Sequence, residues 1–164
     1  MKKKIEMIIM DVDGTLPNEQ LNISDNGELF KSFYCRDGLG ILRAIDKGII
    51  PVILTSRYSE IVNKRGQELG MKYIYQGLKD RKNDKMLSIM KEFDLRKEQI
   101  AYIGDDINDL QSMEQCGVVG CPADSVPEVL ETADYICKKN GGYGAVREFI
   151  DWIIDEYNQS CKLE

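Results

Sequence analysis

The 164-residue sequence contains no histidine. A Ser-His or Cys-His catalytic dyad is therefore excluded within the chain. Long apolar runs are missing too. Ile5-Glu6-Met7-Ile8-Ile9-Met10, which follows the basic Lys2-Lys3-Lys4, is only strand-length. It is too short for a signal peptide, and nothing elsewhere reaches the roughly 20 apolar residues of a membrane helix. An excess of positive charge is also absent. Lys and Arg number 22 against 28 Asp and Glu, a net charge of −6. That balance argues against a nucleic-acid backbone as partner. The five cysteines (Cys35, Cys116, Cys121, Cys137, Cys161) are odd in number and form no C-x-x-C pair. The expectation is free thiols in a reducing cytoplasm, without a zinc site. The remaining composition, 43% hydrophobic and 30% charged, suits one soluble domain with a proper core.

The most informative stretch is Asp11-Val12-Asp13-Gly14-Thr15-Leu16. It follows the first apolar run, so two carboxylates sit where a buried strand ends. One residue separates them, which in extended chain puts both on the same side. Gly14 permits a sharp turn and a close backbone approach to a ligand. A second apolar run, Ala101-Tyr102-Ile103-Gly104, leads into Asp105-Asp106-Ile107-Asn108-Asp109. Crowded carboxylates need a cation or a proton between them. Two strand-end acid clusters in a chain without histidine point to a hard-cation site made of oxygen ligands.

In chain order, the pattern predicts a β-hairpin at about 19–34, turning at Asn26-Gly27. A helix to about Lys47 follows, with Ile41, Leu42 and Ile45 on its apolar face. Ile49 to Leu54 is a buried strand, and Ser59 is a candidate N-cap for a helix to about Leu69. Further strands are expected at 71–76, 101–104, 117–121 and 135–137. Further helices are expected before Phe93, at 107–115, at 125–131 and at 145–158. Alternation of this kind predicts a doubly wound, Rossmann-like α/β domain with a mostly parallel sheet over 1–158. Residues 159–164 read as a frayed tail.

The strand-end groups then gather at one sheet edge: Asp11 and Asp13, Thr55, a lysine near 82, and Asp105 with Asp109. A carboxylate nucleophile, a second carboxyl for proton transfer, Mg²⁺ and a lysine together suit phosphoryl transfer. The order D-x-D-G-T-L, apolar-Thr, Lys and G-D-D-x-x-D resembles the haloacid dehalogenase superfamily of phosphatases. Three stretches, 31–40, Tyr75-Gln76-Gly77 and 141–148, are similar to its capless 3-deoxy-D-manno-octulosonate 8-phosphate phosphatases. The resemblance covers about 5–150. It implies Asp11 as nucleophile and Asp13 as general acid and base. It implies an Mg²⁺ held by Asp11, the Asp13 main-chain carbonyl and Asp105. Thr55 and Lys82 would contact the phosphoryl oxygens, and Asp106 and Asp109 would orient the lysine or metal waters. In relatives the lysine stands four residues after the Q-G, which is Arg81 here. Counting back from Met86, Ile89, Met90 and Phe93 gives Lys82, with Lys85 one turn on as the alternative. Arg57 and Arg65 are candidates for an anionic substrate group.

The resemblance implies a keto-deoxy sugar acid phosphate as substrate, first the eight-carbon 8-phosphate. The alternatives are a nine-carbon acid 9-phosphate and a non-catalytic oligomerisation or regulatory module. A receiver-like domain phosphorylated on Asp11 is a further reading, which Asp13 opposes. There is no room for a cap domain between Asp13 and Thr55, or between Thr55 and Lys82. The resemblance therefore implies a homotetramer. In it the 19–34 hairpin, with Leu29, Phe30, Phe33 and Tyr34, and the 140–148 loop with Arg147 would complete a neighbour's site.

Overall fold

The computed structural model describes residues 3–161. The first strand, β1 (Met7–Met10), is fully buried. The chain then forms a hairpin, β2 (Asn22–Ser24) and β3 (Gly27–Phe30), before α1 (Cys35–Asp46), β4 (Ile50–Leu54), α2 (Glu60–Glu68), β5 (Tyr73–Tyr75) and α3 (Lys82–Glu92). A 3-10 turn at Lys97–Gln99 leads into β6 (Ile100–Ile103). A second, at Ile107–Asp109, leads into α4 (Leu110–Met113). The remainder is β7 (Val118–Cys121), α5 (Pro127–Thr132), β8 (Tyr135–Ile136) and α6 (Ala145–Trp152). That last helix continues through a π-helical stretch, Ile153–Tyr157, into α7 (Asn158–Ser160).

Six strands form one sheet in the order β5-β4-β1-β6-β7-β8, every pair parallel. The chain winds outward from β1 on one side, then returns to β6 on the other. The switch point therefore lies between β1 and β6, and in such sheets ligands bind at the carboxyl edge there. Consecutive residues of β1 serve opposite faces. Ile8 and Met10 pack under α1 and α6 with Ile41, Phe149 and Ile150, whereas Met7 and Ile9 pack under α3 with Met86 and Ile89. Both faces being covered explains why the strands read as continuous apolar runs. The buried Asn158 side chain accepts from Ile5 N at 2.7 Å and donates to Ile5 O at 3.2 Å, tying the closing helix to the start of β1.

The expected parallel sheet with a hairpin insertion is present, and the only antiparallel pair among the described residues is that hairpin. Other expectations change. The hairpin's two-residue turn is Asp25-Asn26, because Ser24 pairs with Gly27. On α1 the buried face is Asp37, Gly38, Gly40, Ile41 and Ala44, while Leu42 and Ile45 are exposed. Glycine at 38 and 40 lets α1 approach its neighbours closely: a Cβ on Gly40 would lie 3.2 Å from Arg147 Cα in α6. Ser59 does stand at the N-cap of α2, but its hydroxyl donates to Glu28 rather than capping the helix. Phe33 packs against the core and Tyr34 is half-buried, so the exposed apolar residues of the hairpin are Leu21, Ile23, Leu29 and Phe30. Helix extends to Ser160 at the carboxyl end, and 162–164 of the expected tail lie outside the described residues.

Candidate active site

At the switch point the loop after β1 meets the loop after β6. Asp11 N donates to Ile103 O at 3.0 Å, which continues the strand pairing up to the first carboxylate. The chain then turns: Thr15 N and Leu16 N both reach back to Val12 O at 2.9 Å. Gly14 has φ +87°, and a Cβ there would sit 1.9 Å from Asp105 Oδ2. Only glycine lets the two acid loops come this close. The loop is braced from outside by Gly141 and Gly142. Gly142 N donates to Thr15 O at 3.1 Å, and a Cβ on Gly141 would lie 1.8 Å from Gly14 O. Within their own chain these two residues hold the first acid loop in place.

Lys82, in the first turn of α3, is 2% exposed. Its Nζ donates to Asp11 Oδ1 at 2.7 Å and to Asp109 Oδ1 at 2.6 Å. Lys85 lies elsewhere, its Nζ over the Tyr75 ring at 3.9 Å, so the lysine of the site is Lys82. Asp109 is fully buried and fully used. Besides Lys82, its Oδ1 accepts from Tyr102 Oη at 2.6 Å, and its Oδ2 from the amides of Asp105 and Asp106 at 3.2 and 3.4 Å. It therefore orients the lysine. Asp106 serves mainly as a cap, accepting from Ile107 N at 2.7 Å, while also lining the cleft. Asp105 Oδ1 accepts from Thr15 Oγ1 at 3.1 Å.

These contacts fix the electrostatics. Burial pushes the Asp11 carboxyl up, to about 7; Asp109 adds to this, and Lys82 opposes it. Burial likewise pushes Asp105 up, to about 8, with Asp11 and Asp109 in the same direction. Burial alone would lower Lys82, but the two carboxylates outweigh it and hold the ammonium charged. Ligand oxygens of Asp11, Asp105 and Asp109 lie within 4.8 Å of one another. Three carboxylates against one ammonium leave two negative charges, which a divalent cation matches. The oxygen-only donors suit a hard ion such as Mg²⁺. Asp109 has no acceptor capacity left, so Asp11 and Asp105 are the carboxylates that fit it.

The acids open into a cleft of about 370 Å³, lined by Asp11, Asp13, Thr55, Arg57, Asp105 and Asp106 among others. Thr55 sits at the end of β4 and is 3% exposed. Arg57 is half-exposed at the mouth, its Nε 3.8 Å from Asp13 Oδ2. Arg65, expected at the substrate, is not in this cleft, and Arg147, expected to complete a neighbour's site, is not in its own chain's cleft either. Arg65 lies on the α1 side of α2, over Gly38, and pairs with Glu68 at 2.7 Å. Arg147 pairs with Asp151 at 2.6 Å and lines a separate groove with Tyr34, Tyr143 and Trp152. Both positions follow from helical phase, which turns them toward α1 rather than the strand ends. The sequence reading missed Thr15, Tyr102 and Lys31. Lys31 pairs with Asp13 and Glu28, but no local pattern announces that contact.

A doubly wound sheet with a buried Asp–Lys–Asp cluster at its switch point, beside a cation-sized acid pair, defines an enzyme of phosphoryl transfer. The chain belongs to the haloacid dehalogenase-like hydrolase family, whose model matches residues 35–117. It is 39% identical over 162 residues to the 3-deoxy-D-manno-octulosonate 8-phosphate phosphatase of Haemophilus influenzae, covering 99% of this chain and 89% of that protein. Its fold is similar to the cobalt-bound structure of that phosphatase, with a TM-score of 0.90 and 38% identity, over 95% of this chain and 90% of the other. A Moraxella catarrhalis phosphatase of the same name, in complex with magnesium ion, phosphate ion and KDO, matches with a TM-score of 0.90 and 35% identity, over 99% of this chain and 92% of the other.

Proposed function

We propose that this protein is a cytoplasmic, Mg²⁺-dependent phosphatase of 3-deoxy-D-manno-octulosonate 8-phosphate. The observation that carries the reading is the buried Lys82 bridging Asp11 and Asp109 at the head of a cleft that also holds Asp13, Thr55 and Asp105. Asp11 attacks phosphorus while the bond to the sugar oxygen breaks, and Asp13 gives that departing oxygen its proton. Water then attacks the aspartyl-phosphate, Asp13 takes a proton from it, and the Asp11–phosphorus bond breaks to release phosphate. Lys82 and Thr55 contact the phosphoryl oxygens, and Asp109 and Tyr102 fix Lys82. Asp11, Asp105 and the Asp13 main-chain carbonyl would hold Mg²⁺, which neutralises phosphoryl charge. Arg57, at the cleft mouth, suits the sugar acid carboxylate.

A phosphatase must also limit water at the reacting group, and this cleft is open. We assign that part to a homotetramer in which the hairpin's exposed Leu21, Ile23, Leu29 and Phe30 meet neighbouring subunits. An isolated hairpin cannot bury such residues by itself. The test is a phosphate-release screen over sugar phosphates with Mg²⁺. It should be fastest on the eight-carbon acid 8-phosphate and silent after exhaustive EDTA treatment. Preference for the nine-carbon acid 9-phosphate would reassign the substrate, and activity in EDTA would remove the metal.

A further inference from the structure

Lys31 lies just past β3, and its side chain is only 3% exposed. Its ammonium is enclosed by two carboxylates: Asp13 Oδ1, and Glu28 Oε1 at 3.0 Å. The other Glu28 oxygen accepts from Ser59 Oγ at the start of α2. Ser59 N in turn donates to Gln76 Oε1 at 3.0 Å, just past β5, and Gln76 Nε2 donates to Asn63 Oδ1 at 2.7 Å. A polar chain thus runs from Asp13 through the hairpin to the helix that follows Thr55. Two features set it apart from a surface ion pair. A lysine removed from water must keep its partners, because an unpaired buried charge is strongly unfavourable. In addition, Ser59 stands at an N-cap yet gives its hydroxyl to Glu28 and makes no cap bond.

The consequence falls on Asp13. Lys31 takes Oδ1, which leaves Oδ2 as the oxygen facing Arg57 Nε at 3.8 Å. A carboxyl held at one oxygen cannot swing freely, so it presents one fixed oxygen to the cleft. The geometry points to Lys31 as a positioning residue. It orients Asp13 for proton transfer to the leaving sugar oxygen, with Glu28 and Ser59 holding Lys31, so that docking of the hairpin governs the acid step. This rests on the reading of Asp13 as proton donor. Lys31 touches neither substrate nor phosphoryl group in this role.

The test compares Lys31→Met, Lys31→Arg and Asp13→Asn, with Mg²⁺, on the eight-carbon sugar acid phosphate and on p-nitrophenyl phosphate. The latter's leaving group needs little protonation. A complete general acid is typically worth about 10²–10⁴-fold. Lys31→Met should therefore lower kcat on the sugar phosphate by about 10²-fold, and on p-nitrophenyl phosphate by less than about tenfold. Lys31→Arg should recover most of the loss. Lys31→Met combined with Asp13→Asn should be no slower than Asp13→Asn alone, since the two act as one unit. Equal falls on both substrates, a change in KM alone, or additivity in the double variant would overturn the proposal while leaving Asp13's role intact. Leaving-group independence of Asp13→Asn itself would remove that role, and the proposal with it. Should Lys31→Met fail to fold, Ser59→Ala carries the test, because it frees Glu28 without deleting the ammonium. It should lower the same kcat ratio in the same direction, and an unchanged ratio would refute the chain.

Discussion

Replacing Lys82 by methionine keeps the stem of the side chain and deletes the charge. In the folded protein Lys82 makes two short ion pairs, 2.7 Å to Asp11 and 2.6 Å to Asp109, at 2% exposure. Removing one partner of a buried pair costs about 3–5 kcal/mol, because the remaining charges stay buried. At about 2–4 °C per kcal/mol for a domain of this size, metal-free Lys82→Met should melt roughly 6–20 °C below the wild type. The gap should depend on pH. Asp11 is lifted from 3.8 to about 7 and Asp105 to about 8. A carboxyl raised in the folded state contributes stability that is complete below its unfolded value and is lost as pH rises through the folded one. Lys82 opposes the lift at Asp11, so its removal raises Asp11 further. The melting gap should therefore be wider at pH 8 than at pH 5, and Mg²⁺ should narrow it at pH 8. Loss of a donor to the phosphoryl oxygens should lower kcat by about 10²–10³-fold. Lys85→Met removes only a cation–π contact worth about 0.5–1 kcal/mol and should leave kcat near the wild-type value. Calorimetry at the two pH values and steady-state kinetics on both variants decide the matter. A Lys82→Met enzyme with wild-type kcat, or a gap that narrows as pH rises, would rule out this role for Lys82.

Asp13→Asn should reduce kcat/KM on the sugar phosphate by about 10²–10⁴-fold, and by much less on p-nitrophenyl phosphate; equal losses would count against the acid role. Ile23→Asp with Phe30→Asp, at 62% and 53% exposed positions, should dissociate the proposed tetramer in light scattering and collapse sugar acid phosphate turnover. A wild-type monomer with full activity would contradict the assembly. Gly141→Ala places a methyl group 1.8 Å from Gly14 O, so it should cost about 1–3 kcal/mol by overpacking and lower kcat together with Tm. Unchanged melting and kinetics would show that this loop does not brace the acids.

The parts of the site that were legible in the sequence are those carried by local pattern. Asp11, Asp13 and Asp105 each follow a buried strand, and parallel topology brings strand ends together. Lys82 emerged because Met86 and Ile89 fix the phase of α3, and both are fully buried there. What stayed hidden depends on pairing across long separations. Thr15 meets Asp105 across 90 residues, and Lys31 meets Asp13 across a hairpin whose register no local pattern specified. Arg65 was placed near the substrate by chemistry alone, yet helical phase turns it toward α1; Arg147, expected at a neighbour's site, lies outside its own chain's cleft. On α1, Leu42 and Ile45 suggested an apolar face, but Gly38 and Gly40 set the contact because close approach to neighbouring side chains needs small residues. The glycines were visible; the side chains they admit were not.

The proposed mechanism requires Asp11 to carry the phosphoryl group. A single turnover of the eight-carbon sugar acid phosphate with excess enzyme and Mg²⁺, quenched in acid within the turnover time, traps whatever is covalently bound. Borohydride then reduces an acyl-phosphate to the alcohol, and mass spectrometry of the peptide spanning Met10 to Leu16 locates it. Reduction is expected at Asp11 alone, formed before sugar acid release is complete and absent in Asp11→Asn. Modification at Asp13 instead, or full turnover by Asp11→Asn with no trapped species, would contradict the mechanism.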